Sequence, residues 1–117
     1  MVVSHGALSA ALVQAVEQIS GVTGVLYPVS NNDCNPELIE RKLAEAIGEG
    51  PAVVFVDLPS GSCFFAAMRA HRSQAEIPVV TGVNLPMLVD FVFHRGATAE
   101  EAAKRAAAKG GEAIRTR

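Results

Sequence analysis

Two residues in this 117-residue chain could do chemistry together although they lie far apart in sequence: His5 and Asp57. His5 stands one residue past the β-branched run Val2-Val3, with Ser4 between, and Asp57 directly follows the apolar run at 52–56. A free imidazole has a pKa of ~6.5, so a neutral, nucleophilic ring is available at pH 7. A neighbouring carboxylate accepts from one ring N–H, fixes the tautomer and leaves the other nitrogen free to attack. A helical pattern begins just after His5, and another begins near Gly61-Ser62. Amides at helix N-termini hold phosphoryl groups well, and the Ser62 hydroxyl offers one more hydrogen bond. A histidine, an orienting acid and two helix starts suit a transient phosphohistidine better than hydrolysis of a substrate. The candidate catalytic residues are therefore His5, Asp57 and Ser62, and the pattern calls for neither a metal nor a cofactor.

A lone histidine at a strand end is most often structural, so the case rests on where the chain places it. Leu8, Leu12, Ala15, Val16 and Ile19 recur at helical spacing and predict a first helix that stops at Gly21. Residues 22–29 read as a strand, with Pro28 confining it to a sheet edge. Asn35-Pro36-Glu37 opens a helix with a cap, a proline and an acid in their favoured places. Leu38, Ile39, Leu43, Ala46 and Ile47 form its apolar stripe. The continuous apolar run 52–56 is the signature of a parallel strand buried on both faces. Ser62 is expected to cap a helix running to about Arg72. Residues 77–81 form a further strand, and Asn84 caps a helix through Val92. Thr98 and Glu101 make a capping box for an Ala-rich helix through about Lys109, where Gly110-Gly111 should break it. Residues 112–117 are left as a short final strand or a frayed end.

Strands alternating with helices predict a single α/β domain over residues 1–117, a three-layer, open, mostly parallel sheet. The expected strand order is the flavodoxin-like 2-1-3-4, which puts a switch point between the first and third strands. Ligands collect at the carboxyl ends of strands around such a point. That order brings His5 and Asp57 to one crevice.

Composition narrows the function classes. Ten Lys+Arg against twelve Asp+Glu give a net charge of −2, and no basic cluster is present, which argues against nucleic-acid binding. Half the residues are hydrophobic and 19% charged. With a mean hydropathy of +0.28, the chain is too apolar for disorder and hints at a subunit interface. No apolar stretch is long enough to span a bilayer and the N-terminus lacks a signal-peptide pattern, so no membrane insertion and a cytoplasmic location are expected. Cys34 and Cys63 form neither a CxxC pair nor a zinc spacing. Cys63 falls in the first turn of a helix, where a lowered thiol pKa is conceivable, but small-residue packing is the simpler role. His71 and His94 sit near helix C-termini, where the dipole favours them without any function. Glu49, Glu100 and Glu101 read as solvated or capping acids. Residues 59–62 lack the Gly-Lys-Ser/Thr ending of a nucleotide-binding loop. Phe64, Phe65, Leu85 and Met87 border the expected site as a partly apolar docking face, with core packing the competing role.

Three motifs carry a family resemblance: Val3-Ser4-His5-Gly6, then Val56-Asp57-Leu58-Pro59-Ser60-Gly61-Ser62, then Thr81-Gly82-Val83-Asn84-Leu85-Pro86-Met87-Leu88. In this order and spacing they resemble the mannose-family IIA component of the bacterial phosphoenolpyruvate-dependent sugar phosphotransferase system. The likeness covers nearly the whole chain, and the Gly82–Leu88 motif is its most specific part. It implies a cytoplasmic phosphocarrier whose His5 takes a phosphoryl group from HPr and passes it to a IIB component, with Asp57 beside it and Ser62 as a nearby hydroxyl. It further implies a homodimer that exchanges a C-terminal antiparallel strand, supplied here by Ile114 and its neighbours. The sequence departs from the family pattern in its short first strand. After the aspartate, Ser60-Gly61-Ser62-Cys63 stands where Gly-Gly-Ser-Pro is usual, and Phe65 replaces an asparagine. With no IIB segment in the 117 residues, the acceptor is expected on a separate chain.

Three other readings compete. A receiver-like domain phosphorylated on Asp57 would need further acids after the first strand, and Ser4-His5-Gly6 supplies none. The phosphotransfer subunit serving dihydroxyacetone kinase is related, but the Asn84–Leu88 motif leans away from it. A regulatory module that senses phosphorylation would use the same residues.

Overall fold

The computed structural model describes residues 1–74 and 76–117. Four strands, β1 (Val2–Ser4), β2 (Pro28–Ser30), β3 (Val54–Val56) and β4 (Val79–Thr81), form an all-parallel sheet in the order β2-β1-β3-β4. Between and after them run five helices: α1 (Leu8–Ser20), α2 (Pro36–Ile47), α3 (Gly61–Ser73), α4 (Leu85–Phe93) and α5 (Ala99–Glu112). The expected class and strand order are those observed, and Pro28 lies on the edge strand β2.

Alternation along the strands divides the interior into two layers. Val2, Phe55 and Val80 face α1, α4 and α5, packing with Val16, Met87, Leu88, Val92 and Ala106. Val3, Val29, Val54 and Val56 face the other way, against Ile39, Leu43 and Ile47 of α2 and Cys63, Ala66 and Ala67 of α3. Both faces of the central strands are covered, which is why 52–56 reads as an unbroken apolar run. Each fully buried aliphatic side chain contributes roughly 1.5–3 kcal/mol. Three of the four expected caps form: Asn35, Asn84 and Thr98 accept from the amides of Leu38 (2.8 Å), Met87 (3.0 Å) and Glu101 (3.2 Å).

Several expected boundaries and faces differ. β1 offers only three residues to pair with, so β2 is confined to Pro28–Ser30 instead of 22–29. α1 buries Ser9, Val13 and Val16, leaving Leu8 and Ile19 exposed. Hydrogen bonds turn it this way: the Ser9 amide donates to Ser4 Oγ (2.6 Å) and the Ser9 hydroxyl to the Val29 carbonyl (3.3 Å). α3 starts at Gly61, so Ser60 occupies the cap position and Ser62 lies inside the first turn. α5 continues through Gly110 and Gly111 to Glu112. Gly110 is there for close packing: a Cβ would stand 2.8 Å from Met87 Cε and 3.1 Å from Asn84 Oδ1. Asn84 Nδ2 also donates to the Gly110 carbonyl (3.1 Å). Residues 113–117 form no strand within this chain.

Candidate functional site

The register between β1 and β3 pairs Val3 with Val56. One step further along each strand, at their carboxyl ends, stand Ser4 and Asp57, with His5 next. Asp57 is held on both oxygens. Its Oδ2 accepts from the His5 backbone amide (2.9 Å) and from His5 Nδ1–H (2.8 Å), and its Oδ1 accepts from the Leu58 amide (2.9 Å). Burial pushes the Asp57 carboxyl up, but the His5 amide, the His5 ring and the Leu58 amide outweigh it and hold the group below its ordinary range. Asp57 is therefore the ionised, orienting partner, and Nδ1 carries the proton it accepts.

The side chain of His5 is 43% exposed and that of Asp57 only 10%. With Nδ1 engaged, Nε2 is the free nitrogen. It lies against the start of α3: a Cβ on Gly61 would be 3.7 Å from both Cε1 and Nε2. Gly61 has φ +87°, a conformation other residues rarely adopt. His5 thus sits between the N-terminus of α3 and that of α1, which starts three residues later. Neither helix has an acid in its first turn, and neither has α4, whereas α2 and α5 carry Glu37 and Glu100-Glu101 there. The partial positive charge of α1 and α3 remains open to an anion.

Sequence reasoning also missed Ser30 and Asn31. The Gly6 amide donates to Asn31 Oδ1 (3.1 Å) and the Ser30 hydroxyl to the Gly6 carbonyl (2.7 Å). Together they fix the turn after His5 from the end of β2, and Gly6 supplies its φ of +59°. Their signal was positional only: polar residues at the carboxyl end of the neighbouring strand. Ser62 lies in the first turn of α3, half-buried, with no hydrogen bond to His5 or Asp57 among the described residues. Cys63 is buried, and burial together with the Asp57 charge pushes its thiol up, against the idea of a helix-activated thiolate.

The other candidates fall away from this crevice or into the core. His71 Nδ1–H donates to the Ile77 carbonyl (2.7 Å) and ties α3 to the approach to β4. His94 Nδ1–H donates to the Asp90 carbonyl (2.9 Å) at the end of α4. Met87 is core and Leu85 packs against it, on the opposite side of the sheet from Phe64. Phe65 is 64% exposed on α3, and Leu58, next to Asp57, is also exposed.

Comparison with known proteins shows the family and the fold. The family model described as "PTS system fructose IIA component", EIIA-man, matches residues 1–109. The chain belongs to this mannose-type IIA family. Among characterised relatives, the sorbose-specific EIIA component of Klebsiella pneumoniae is 28% identical over 92 residues, 76% of this chain and 68% of that protein. The mannose/sorbose-specific IIA subunit from Enterococcus faecalis superposes with a TM-score of 0.88 at 25% identity, covering 99% of this chain and 91% of that one. The EIIA component from Streptococcus agalactiae has the same fold, with a TM-score of 0.89 at 21% identity over 98% and 93% of the two chains. As a IIA component, this protein is part of a sugar phosphotransferase system. No helix among the described residues is long and apolar enough to cross a membrane.

Proposed function

We propose that this IIA component is a phosphohistidine carrier that accepts a phosphoryl group from HPr on His5 Nε2 and delivers it to a IIB component. The observation that carries the reading is the 2.8 Å contact between Nδ1 and Asp57, which leaves Nε2 free on the solvent side beside α3. In the forward step the Nε2 lone pair attacks phosphorus while the donor's bond to phosphorus breaks. The ring gains positive charge, and the buried Asp57 carboxylate offsets it through Nδ1–H. Amides at the starts of α1 and α3 offset charge on the phosphoryl oxygens, and the Ser62 hydroxyl adds a donor after rotation. Delivery to IIB reverses these events. Positioning and charge stabilisation are what such a transfer requires. Exposed Leu58 and Phe65 give partners an apolar surface beside the nitrogen. On this reading residues 1–117 act as one cytoplasmic domain, and two copies associate as a homodimer.

The test is intact-mass analysis after incubation with phosphoenolpyruvate, enzyme I and HPr, followed by peptide mapping. The expected result is one acid-labile, alkali-stable phosphoryl group on the peptide containing His5, absent from His5→Ala. Undiminished labelling of His5→Ala overturns the assignment. A hydroxylamine-sensitive label on Asp57 does so too.

A further inference from the structure

We propose that His5, Asp57 and Cys63 form a binding site for a thiophilic divalent cation of the Zn²⁺ type. One ring nitrogen of His5, a carboxylate oxygen of Asp57 and Sγ of Cys63 all lie within 4.8 Å of one another. They come from the end of β1, the end of β3 and the first turn of α3, so no spacing motif in the sequence announces them. Bond lengths of ~2.0–2.3 Å to a tetrahedral zinc place its donors roughly 3.3–3.8 Å apart. Closing these three onto an ion therefore asks for side-chain shifts on the order of 1 Å.

The donor set selects the metal. A thiolate and an imidazole favour zinc-type ions, whereas magnesium and calcium prefer oxygen donors throughout. Three protein donors leave a fourth position for water. Cys63 forms the buried floor of the site and the half-exposed His5 its rim, which gives an ion a way in. Asp57 Oδ1 already accepts from the Leu58 amide, so the carboxylate is braced as metal-ligating carboxylates usually are. The thiol proton passes to solvent as the metal–sulfur bond forms. The phosphoryl transfer argued above does not use the Cys63 sulfur. One consequence rests on the phosphocarrier reading: an ion on Nε2 occupies the attacking nitrogen, and an ion on Nδ1 displaces the proton there and leaves the neutral ring protonated at Nε2, so on either nitrogen bound metal holds the carrier idle.

The test titrates the purified full chain with Co²⁺ as a spectroscopic probe and then displaces it with Zn²⁺. The wild type is expected to bind one equivalent with a thiolate-to-cobalt charge-transfer band. Cys63→Ser and Cys63→Ala should each lose the band, and His5→Gln, altered at the rim, should keep its fold. All three should bind Zn²⁺ at least about tenfold more weakly, the loss that removing even a supporting hydrogen-bond partner brings. His94→Ala should bind as the wild type does. Absence of the band in the wild type, or unchanged Zn²⁺ affinity in Cys63→Ser or His5→Gln, overturns the site. Zn²⁺ should also suppress labelling by phospho-HPr in the wild type. A chain that binds the ion through these residues yet takes no phosphoryl group, with or without Zn²⁺, supports the metal site while overturning the carrier reading.

Discussion

Asp57 has two duties that one substitution can separate from folding. It fixes the His5 tautomer and it supplies negative charge under a ring that becomes cationic during transfer. Asp57→Asn keeps the size but removes the charge, and its single carboxamide oxygen can accept from the His5 donors or from the Leu58 amide, not from both. Phosphorylation of His5 by phospho-HPr should slow by about 10²–10³-fold, the range for removing one preorganised electrostatic partner; an unchanged single-turnover rate takes Asp57 out of the mechanism. The carboxyl also links stability to pH. Its folded value lies below its ordinary one, so its contribution is fully present above about pH 4 and is lost as pH falls through the folded value. Wild-type melting temperature should therefore drop more steeply below about pH 4 than that of Asp57→Asn, and parallel acid limbs would contradict the linkage. The meeting of His5 and Asp57 was legible because each sits at the end of an apolar run and the strand order does the rest. Cys63 was not legible as their neighbour, since its position depends on how α3 docks.

At the scale of elements, the two adjacent glycines of α5 make opposite predictions. Gly111 has nothing within 4 Å of where a Cβ would go, while Gly110 meets Met87 and Asn84 at 2.8–3.1 Å. Gly111→Ala should stabilise the protein by up to about 1 kcal/mol through helix propensity alone. Gly110→Ala gains the same propensity but overpacks the junction of α4 and α5, at a cost of about 1–3 kcal/mol. A net loss is expected in urea denaturation, with equal effects of the two substitutions as the contrary result. The same pair shows why sequence reading failed here: local preference treats Gly-Gly as a breaker, and only the approach of α4 explains a buried glycine inside a helix. The α1 face was misjudged for a related reason. Leu8 and Ile19 outrank Ser9 in hydropathy, yet Ser9 is the residue that the Ser4 hydroxyl and the Val29 carbonyl can satisfy when buried. Strand order, helix count and three caps were legible because periodicity, proline placement and capping chemistry all pointed the same way.

For the whole molecule, the feature that matters is the free edge of the sheet at β4. β4 is, with β2, one of the two outer strands, and beside it runs a groove of about 1530 Å³ lined in part by Val79, Thr81, Thr98, Ala99, Ala103 and Lys104. An uncovered edge strand is a template for pairing with another chain. After α5, residues 113–117 form neither helix nor strand, and Ile114 is 78% exposed. In the homodimer proposed above, this tail pairs antiparallel with β4 of a second copy, filling the groove and burying Ile114. Two-fold symmetry applies each such contact twice. Burying one isoleucine contributes roughly 1.5–3 kcal/mol, so removing both weakens the dimer by at least about 10²-fold. Light scattering coupled to gel filtration should find the full chain dimeric, and both Ile114→Asp and deletion of residues 113–117 shifted to monomer. His5 and Asp57 lie at the carboxyl ends of the inner strands β1 and β3, so the monomeric variants should still take a phosphoryl group. A full chain that is monomeric, or an Ile114→Asp variant that dimerises as strongly as the wild type, rules out strand exchange through this tail.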